Sequence, residues 1–158
     1  MTRSFVTLLV LGLSSCISSA STTLTLTSRQ SSSPLSGSWI NEFGATMILT
    51  ADKSGGLTGQ YNSEVGNLDA TKFYNLTGRF DTSTLPPSGA GIPVGWVLDW
   101  KNDLLNDHAV TTWSGQYFNN DNVETILTQW LLTISSSQAD VGQSFFTGHD
   151  EFTRAKIA

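Results

Sequence analysis

From Gly37 onward, hydrophobic and polar positions alternate in short runs, and no run shows the 3.6-residue spacing of an amphipathic helix. The alternation predicts strands at 38–43, 45–51, 57–63, 73–81, 94–101, 109–118, 124–133 and 145–153. Turn-forming compositions separate them: Asp52-Lys53-Ser54-Gly55-Gly56, the 64–72 loop, Asp81–Gly91 with Pro86-Pro87, the 102–108 loop, Asn119–Asn122 and Ser135–Gly142. In such segments Gly supplies positive φ, Asn and Asp bond to nearby backbone, and Pro fixes φ. Strands at this spacing suit a sandwich or an antiparallel barrel. Every connection is short enough for a meander, and closure removes edges that would otherwise template aggregation. The fold expected is all-β: an eight-stranded antiparallel up-and-down β-barrel over residues 37–158.

The first residues follow a different pattern. Arg3, the apolar run Phe5–Leu13 and the small residues Ser18-Ser19-Ala20 read as an export signal over residues 1–20, and Phe5–Leu13 is far too short to span a bilayer. Cleavage there removes Cys16, the only cysteine, and leaves a secreted domain without disulfides. Leu13-Ser14-Ser15-Cys16 also resembles a bacterial lipobox, which would instead tether the chain to the cell surface through Cys16. The Arg-poor start favours simple export. Residues 21–36, mostly Ser and Thr with one Pro, read as a flexible spacer.

Charge narrows the partners. A net charge of −5 with no Lys/Arg cluster argues against nucleic acid or an anionic membrane surface. Five Trp, three Tyr and eight Phe in 158 residues must be buried or must line something. An eight-stranded barrel either fills its interior with side chains or holds one small ligand. Trp96 and Trp100 lie four apart on one strand and face the same side, with Trp113 and Trp130 on the next two strands. Taken singly, each ring reads most simply as a plug. Their polar company tips the balance, because Tyr61 shares a face with Ser63, and Thr111 with Trp113. Hydroxyls on such a face are costly in a sealed core unless something pairs with them. A ligand with polar and apolar parts meets that need.

Seven segments in order carry a resemblance. They are Gly37-Ser38-Trp39-Ile40-Asn41-Glu42-Phe43-Gly44, Leu57–Asn67, Leu76-Thr77-Gly78-Arg79-Phe80-Asp81, Gly95–Asn102, Thr111–Tyr117, Thr128-Gln129-Trp130-Leu131-Leu132 and Gly148-His149-Asp150-Glu151-Phe152-Thr153. Together they resemble the avidin and streptavidin family over residues 37–154. The resemblance implies a biotin-binding barrel that starves biotin-dependent organisms of the vitamin. It also implies the site. Asn41 and Tyr61 would donate to the ureido oxygen of biotin, and Ser63 and Asp150 would accept from its two N–H groups. Thr111 would meet the thioether sulfur. Val65 and Asn67 would lie on the following loop, with the Asn67 backbone near the carboxylate tail. Trp100, Trp113, Trp130 and Leu132 would wall the apolar part, with Phe43 where the family usually has Leu.

Three positions depart from that pattern. Ala45 stands where the family has a Ser that donates to the ureido oxygen, and Ala109 where a Ser meets the carboxylate. Gly142 falls where the family has a Trp that reaches over a neighbouring subunit's ligand. Weakened biotin binding is the expected result, in a homodimer whose further pairing to a tetramer is weak. Two alternatives are a lipocalin-like carrier of another small hydrophobic ligand and a surface oligomer with a vestigial pocket. No enzyme is expected. There is no Gly-x-Ser-x-Gly elbow and no metal-ligand spacing, so neither a metal nor a cofactor is expected beside the ligand. His108 reads as a solvated loop residue, and His149 points away from Asp150, its strand neighbour. The sequon Asn75-Leu76-Thr77 lies within a strand that packs between subunits in relatives, so no glycan is expected there.

Overall fold

A computed structural model describes residues 33–63, 73–83 and 89–155. The expected export signal, Cys16, most of the spacer, the 64–72 loop, Pro86-Pro87 and residues 156–158 lie outside the described residues. The strands are β1 Gly37–Asn41, β2 Thr46–Ala51, β3 Gly56–Asn62, β4 Tyr74–Phe80, β5 Ile92–Lys101, β6 Asn106–Asn120, β7 Val123–Ile134 and β8 Phe145–Arg154. Each pairs antiparallel with the next, and β8 returns to β1 through Trp39–Arg154, Ile40–Thr153 and Asn41–Phe152. The sheet is therefore a closed up-and-down barrel, as its turn spacing predicts. Among the described residues no helix is long and apolar enough to cross a membrane.

Alternation decides what the barrel contains. Val94, Trp96 and Leu98 on β5, Ala109, Thr111, Trp113 and Tyr117 on β6, and Asp150 and Phe152 on β8 are buried, while their strand neighbours face out. Trp39, Met47, Leu49, Leu57, Ile126 and Phe152 fill one end as a packed core. There the indole N–H of Trp39 donates to the Leu35 carbonyl at 3.0 Å, and the Arg154 guanidinium lies 3.9 Å from the centre of the Trp39 ring. Arg154 also pairs with Glu124 at 2.8 Å and donates to the carbonyls of Ser36 and Pro34. Leu35 is wholly buried, and Ser36 Oγ accepts from the Ala51 N–H. This corrects the spacer's boundary. A lone Leu among Ser and Pro carries no periodic signal, yet Pro34–Ser36 close the barrel end.

Other differences are local. β6 begins at Asn106 rather than 109, so the preceding loop shrinks to a turn in which Asn102 Oδ1 accepts from the N–H groups of Leu104 and Leu105. The β6–β7 connection is only Asp121-Asn122, with φ of 52° and 65°. Two consecutive positive φ values match a type I′ hairpin, which suits the strand twist and tolerates Asp and Asn. A single 3₁₀ turn, Val141–Gln143, interrupts the loop before β8.

Candidate ligand-binding site

At the other end the barrel is hollow. Strand alternation brings Asn41 from the end of β1, Tyr61 and Ser63 from β3 and just beyond it, and Trp100 from β5 to one cavity of about 420 Å³. Thr111 and Trp113 enter from β6, Trp130 and Leu132 from β7, and Asp150 from β8; Phe43 and Ala45 line it from the β1–β2 turn and its exit. Ten of the twelve ligand residues that the resemblance implies thus share one cavity, together with Ala45. Val65 and Asn67 lie outside the described residues.

The polar end is built around Asp150. Trp113 Nε1 donates to its Oδ2 at 2.7 Å, and Asn41 Nδ2 donates to its Oδ1 at 3.1 Å. Asn41 is itself oriented from behind: its Oδ1 accepts the backbone N–H groups of Ala45, at 2.7 Å, and Phe43, at 3.1 Å. With the amide oxygen held by the turn, the NH₂ group is left facing Asp150 and the cavity. Burial raises the Asp150 carboxyl above its ordinary range, against the two N–H donors that pull it down; the Glu42 charge adds to the rise. Burial, with the Asp150 and Glu42 charges, also pushes the Tyr61 phenol far above its ordinary value. Tyr61 therefore stays a neutral hydroxyl able to donate.

The walls are aromatic. Tyr61 meets Trp100 edge-on with ring centres 6.1 Å apart and lies 5.4 Å from Trp113. Trp100 Nε1 donates to Thr111 Oγ1 at 2.7 Å, which satisfies a hydroxyl that the sequence left in need of a partner. Trp96 does not reach the cavity. It is buried beneath it, stacked on Trp113 with centres 5.9 Å apart and planes 20° apart. The reading of these rings as plugs therefore holds for Trp96, but not for Trp100, Trp113 and Trp130, which line the cavity. Phe43 is 60% exposed and forms part of the rim.

A barrel of this order with one hollow end, an apolar wall and a few converging polar groups matches a binding site for one small molecule. A family model described as Avidin family matches residues 29–155. The chain belongs to the avidin family. In this avidin-family barrel His149 is exposed while Asp150 is buried, so the adjacent pair forms no dyad. His108 is exposed at φ 50° and its carbonyl accepts from the Ser135 N–H. Among the described residues no group of three or more His, Cys, Asp or Glu is placed to hold a metal. Asn75 is exposed on the outer face of β4, across from Gln60.

The departures from the family pattern also have places. Ala45 is buried and lines the cavity beside the Asn41 amide, so a hydroxyl there would reach the polar end. Ala109 is buried at the start of β6, two positions before Thr111. Gly142 sits in the 3₁₀ turn, exposed, and a Cβ there would meet no atom within 4 Å. The sequence did not single out Gly148, against which the Trp130 ring lies. The signal was available as a glycine at an inward strand position.

Proposed function

We propose that this protein binds biotin, one molecule per barrel, without catalysing a reaction. The observation that carries the reading is the Asp150 carboxylate, held by Trp113 and Asn41 inside an aromatic-walled cavity. Each oxygen takes one protein donor and keeps further acceptor capacity, which suits a ligand with N–H donors. The ureido group offers two, and Asp150 and Ser63 are suited to accept them. Its carbonyl oxygen can take the Tyr61 hydroxyl and the second N–H of the Asn41 amide. Trp100, Trp113, Trp130, Leu132 and Phe43 suit the bicyclic ring and the aliphatic tail. A purely apolar ligand, as a lipocalin-like carrier would hold, makes no use of the acceptor sites that Asp150 keeps beyond its bonds from Trp113 and Asn41.

The affinity proposed is below the family's tightest. Ala45 removes one donor from a polarised oxygen, a loss of about 1.5–3 kcal/mol. Gly142 removes an aromatic cover, and truncation of such anchors costs roughly 2–4 kcal/mol. We further propose a secreted homodimer. Calorimetric titration of residues 21–158 with biotin tests the function. Heat at one ligand per chain supports it. Silence at micromolar protein rejects it and leaves the carrier and the vestigial pocket.

A further inference from the structure

Four inward positions lie in line across β5 to β8: Trp96 opposite Trp113, Trp113 opposite Trp130, and Trp130 opposite Gly148. Three consecutive indoles fill this row. Trp96 and Trp113 stack on each other. The Trp130 ring lies over Gly148 instead. A Cβ built on Gly148 would overlap Trp130 Cζ2, with Cε2 at 2.6 Å and Cη2 at 3.0 Å.

The other interior glycines differ. Cβ atoms at Gly59, Gly78 and Gly115 would strike the backbone oxygens of Ile48, Gly95 and Leu127, so the close approach of neighbouring backbone accounts for those glycines. At Gly148 the three nearest atoms all belong to one side chain, and that side chain lines the cavity. Backbone conformation makes no demand either, since Gly148 is not among the glycines with positive φ. A glycine in mid-strand weakens the strand unless something approaches it closely. Here that something is the benzo edge of Trp130.

We propose that Gly148 is a positioning residue of the binding site, one whose missing side chain seats the Trp130 indole against β8 and so sets the width of the cavity. Carbon atoms in contact prefer about 3.5–4 Å, so an added Cβ displaces the ring edge by roughly 1.5 Å. Packed interiors do not absorb such a shift. The volume open to the displaced ring is the cavity it lines. The proposal rests on the reading of that cavity as the biotin site, with Gly148 acting on the ligand only through Trp130.

The test is a double-mutant cycle of Gly148→Ala and Trp130→Phe, because phenylalanine has no atoms where Cζ2 and Cη2 lie. Gly148→Ala in the parent is expected to weaken biotin at least tenfold, chiefly through faster release. In the Trp130→Phe background the same change should cost threefold or less. Equal losses in both backgrounds, or none in the parent, overturn the proposal. Thermal unfolding of the four ligand-free proteins gives a second reading. Gly148→Ala should lower the midpoint clearly in the parent and much less in the Trp130→Phe background. If Gly148→Ala folds only together with Trp130→Phe, the coupling is upheld. If neither combination folds, the glycine serves the strand and the proposal fails. A parent that ignores biotin would reject the biotin reading, while the unfolding cycle still judges Gly148.

Discussion

Trp113 Nε1 donates to Asp150 Oδ2 at 2.7 Å, joining β6 to β8 across the intervening strand. The bond does two things at once. It satisfies a buried indole N–H, and it fixes the plane of a carboxylate that would otherwise turn. Asn41 holds the other oxygen, so both Asp150 oxygens are oriented before any ligand arrives. Preorganisation of this kind lowers the ordering cost of binding.

Replacing Asp150 removes the charged acceptor. Asp150→Ala is expected to weaken biotin by well over tenfold, the scale of a lost charge-assisted bond of about 1.5–3 kcal/mol. The barrel should survive, since Phe152, Ile126 and the core end are untouched. Titration calorimetry beside far-ultraviolet circular dichroism separates the two effects. Parent-like affinity would remove Asp150 from the site.

Asp150 also sets a pH dependence. Burial raises its folded pKa above the ordinary value of 3.8, so the folded chain holds this proton at a pH where the unfolded chain has released it. Two consequences follow from that sign. Biotin affinity should fall as pH drops through the raised value, because a protonated carboxyl is a poorer acceptor. Ligand-free stability relative to Asp150→Asn should fall as pH rises from about 4 through the same window, because the buried charge then forms. Denaturant titrations of parent and variant from about pH 3 to about pH 7 measure the second effect. A constant difference would contradict it.

The strands were legible because alternation and turn chemistry are local, whereas the site residues were implied by the family resemblance. Asn119–Asn122 and Asp52–Gly56 announce turns, and period 2 puts Trp96 with Trp100 and Thr111 with Trp113, while the meeting of Trp113, Trp130 and Asp150 was implied by the family resemblance. The closed end was not legible. Arg154 reaches Trp39, Glu124, Ser36 and Pro34, partners scattered over the whole chain, and no local pattern links them. Leu35 was hidden for the same reason, a single apolar residue in a polar stretch. Thr111 shows a middle case: its need for a partner was readable, but the choice of Trp100 depended on the register of β5 against β6.

That hidden clamp should be strong. Arg154 is held by the Glu124 carboxylate, two carbonyls and the Trp39 face, and Glu124 also accepts from the Tyr117 hydroxyl at 2.7 Å. Arg154→Gln is expected to destabilise the barrel by roughly 2–3 kcal/mol at neutral pH, combining a charge-assisted pair with a cation–π contact. The Arg154 hydrogen bond, ahead of burial, holds the Glu124 carboxyl below its ordinary value of 4.5. Its contribution is therefore full above that value and lost as pH falls through the lowered one. Arg154→Lys should recover little, since one ammonium cannot replace the planar fork. Urea unfolding at about pH 7 and about pH 3 tests both statements, and an unchanged midpoint at neutral pH would refute the clamp.

Ala45→Ser should tighten biotin at least tenfold, restoring about 1.5–3 kcal/mol at a polarised acceptor. The backbone bond from Ala45 N to Asn41 Oδ1 is independent of the side chain, so the turn should persist. Slower dissociation in a displacement assay is the expected result. An unchanged rate would mean that the residue 45 side chain does not face the ureido oxygen.

Assembly is the last consequence. On the outer face, Val97, Thr112, Leu131 and Thr147 lie in register across β5 to β8, an uncharged row with Val97 and Leu131 exposed. A second barrel is the expected cover for this row, which predicts a stable homodimer. Pairing through the 3₁₀ turn is another matter, because Gly142 presents no side chain there and open space surrounds it. A tetramer held by that contact should be weak, and biotin should raise thermal stability without locking four chains together. Light scattering of residues 21–158, with and without biotin, reads this directly. A tetramer persisting at nanomolar concentration without ligand would refute the argument from Gly142. Gly142→Trp supplies the missing ring. If the position faces a neighbouring mouth, the variant should release biotin more slowly and shift toward tetramer. An unchanged release rate would place the turn away from any partner's site.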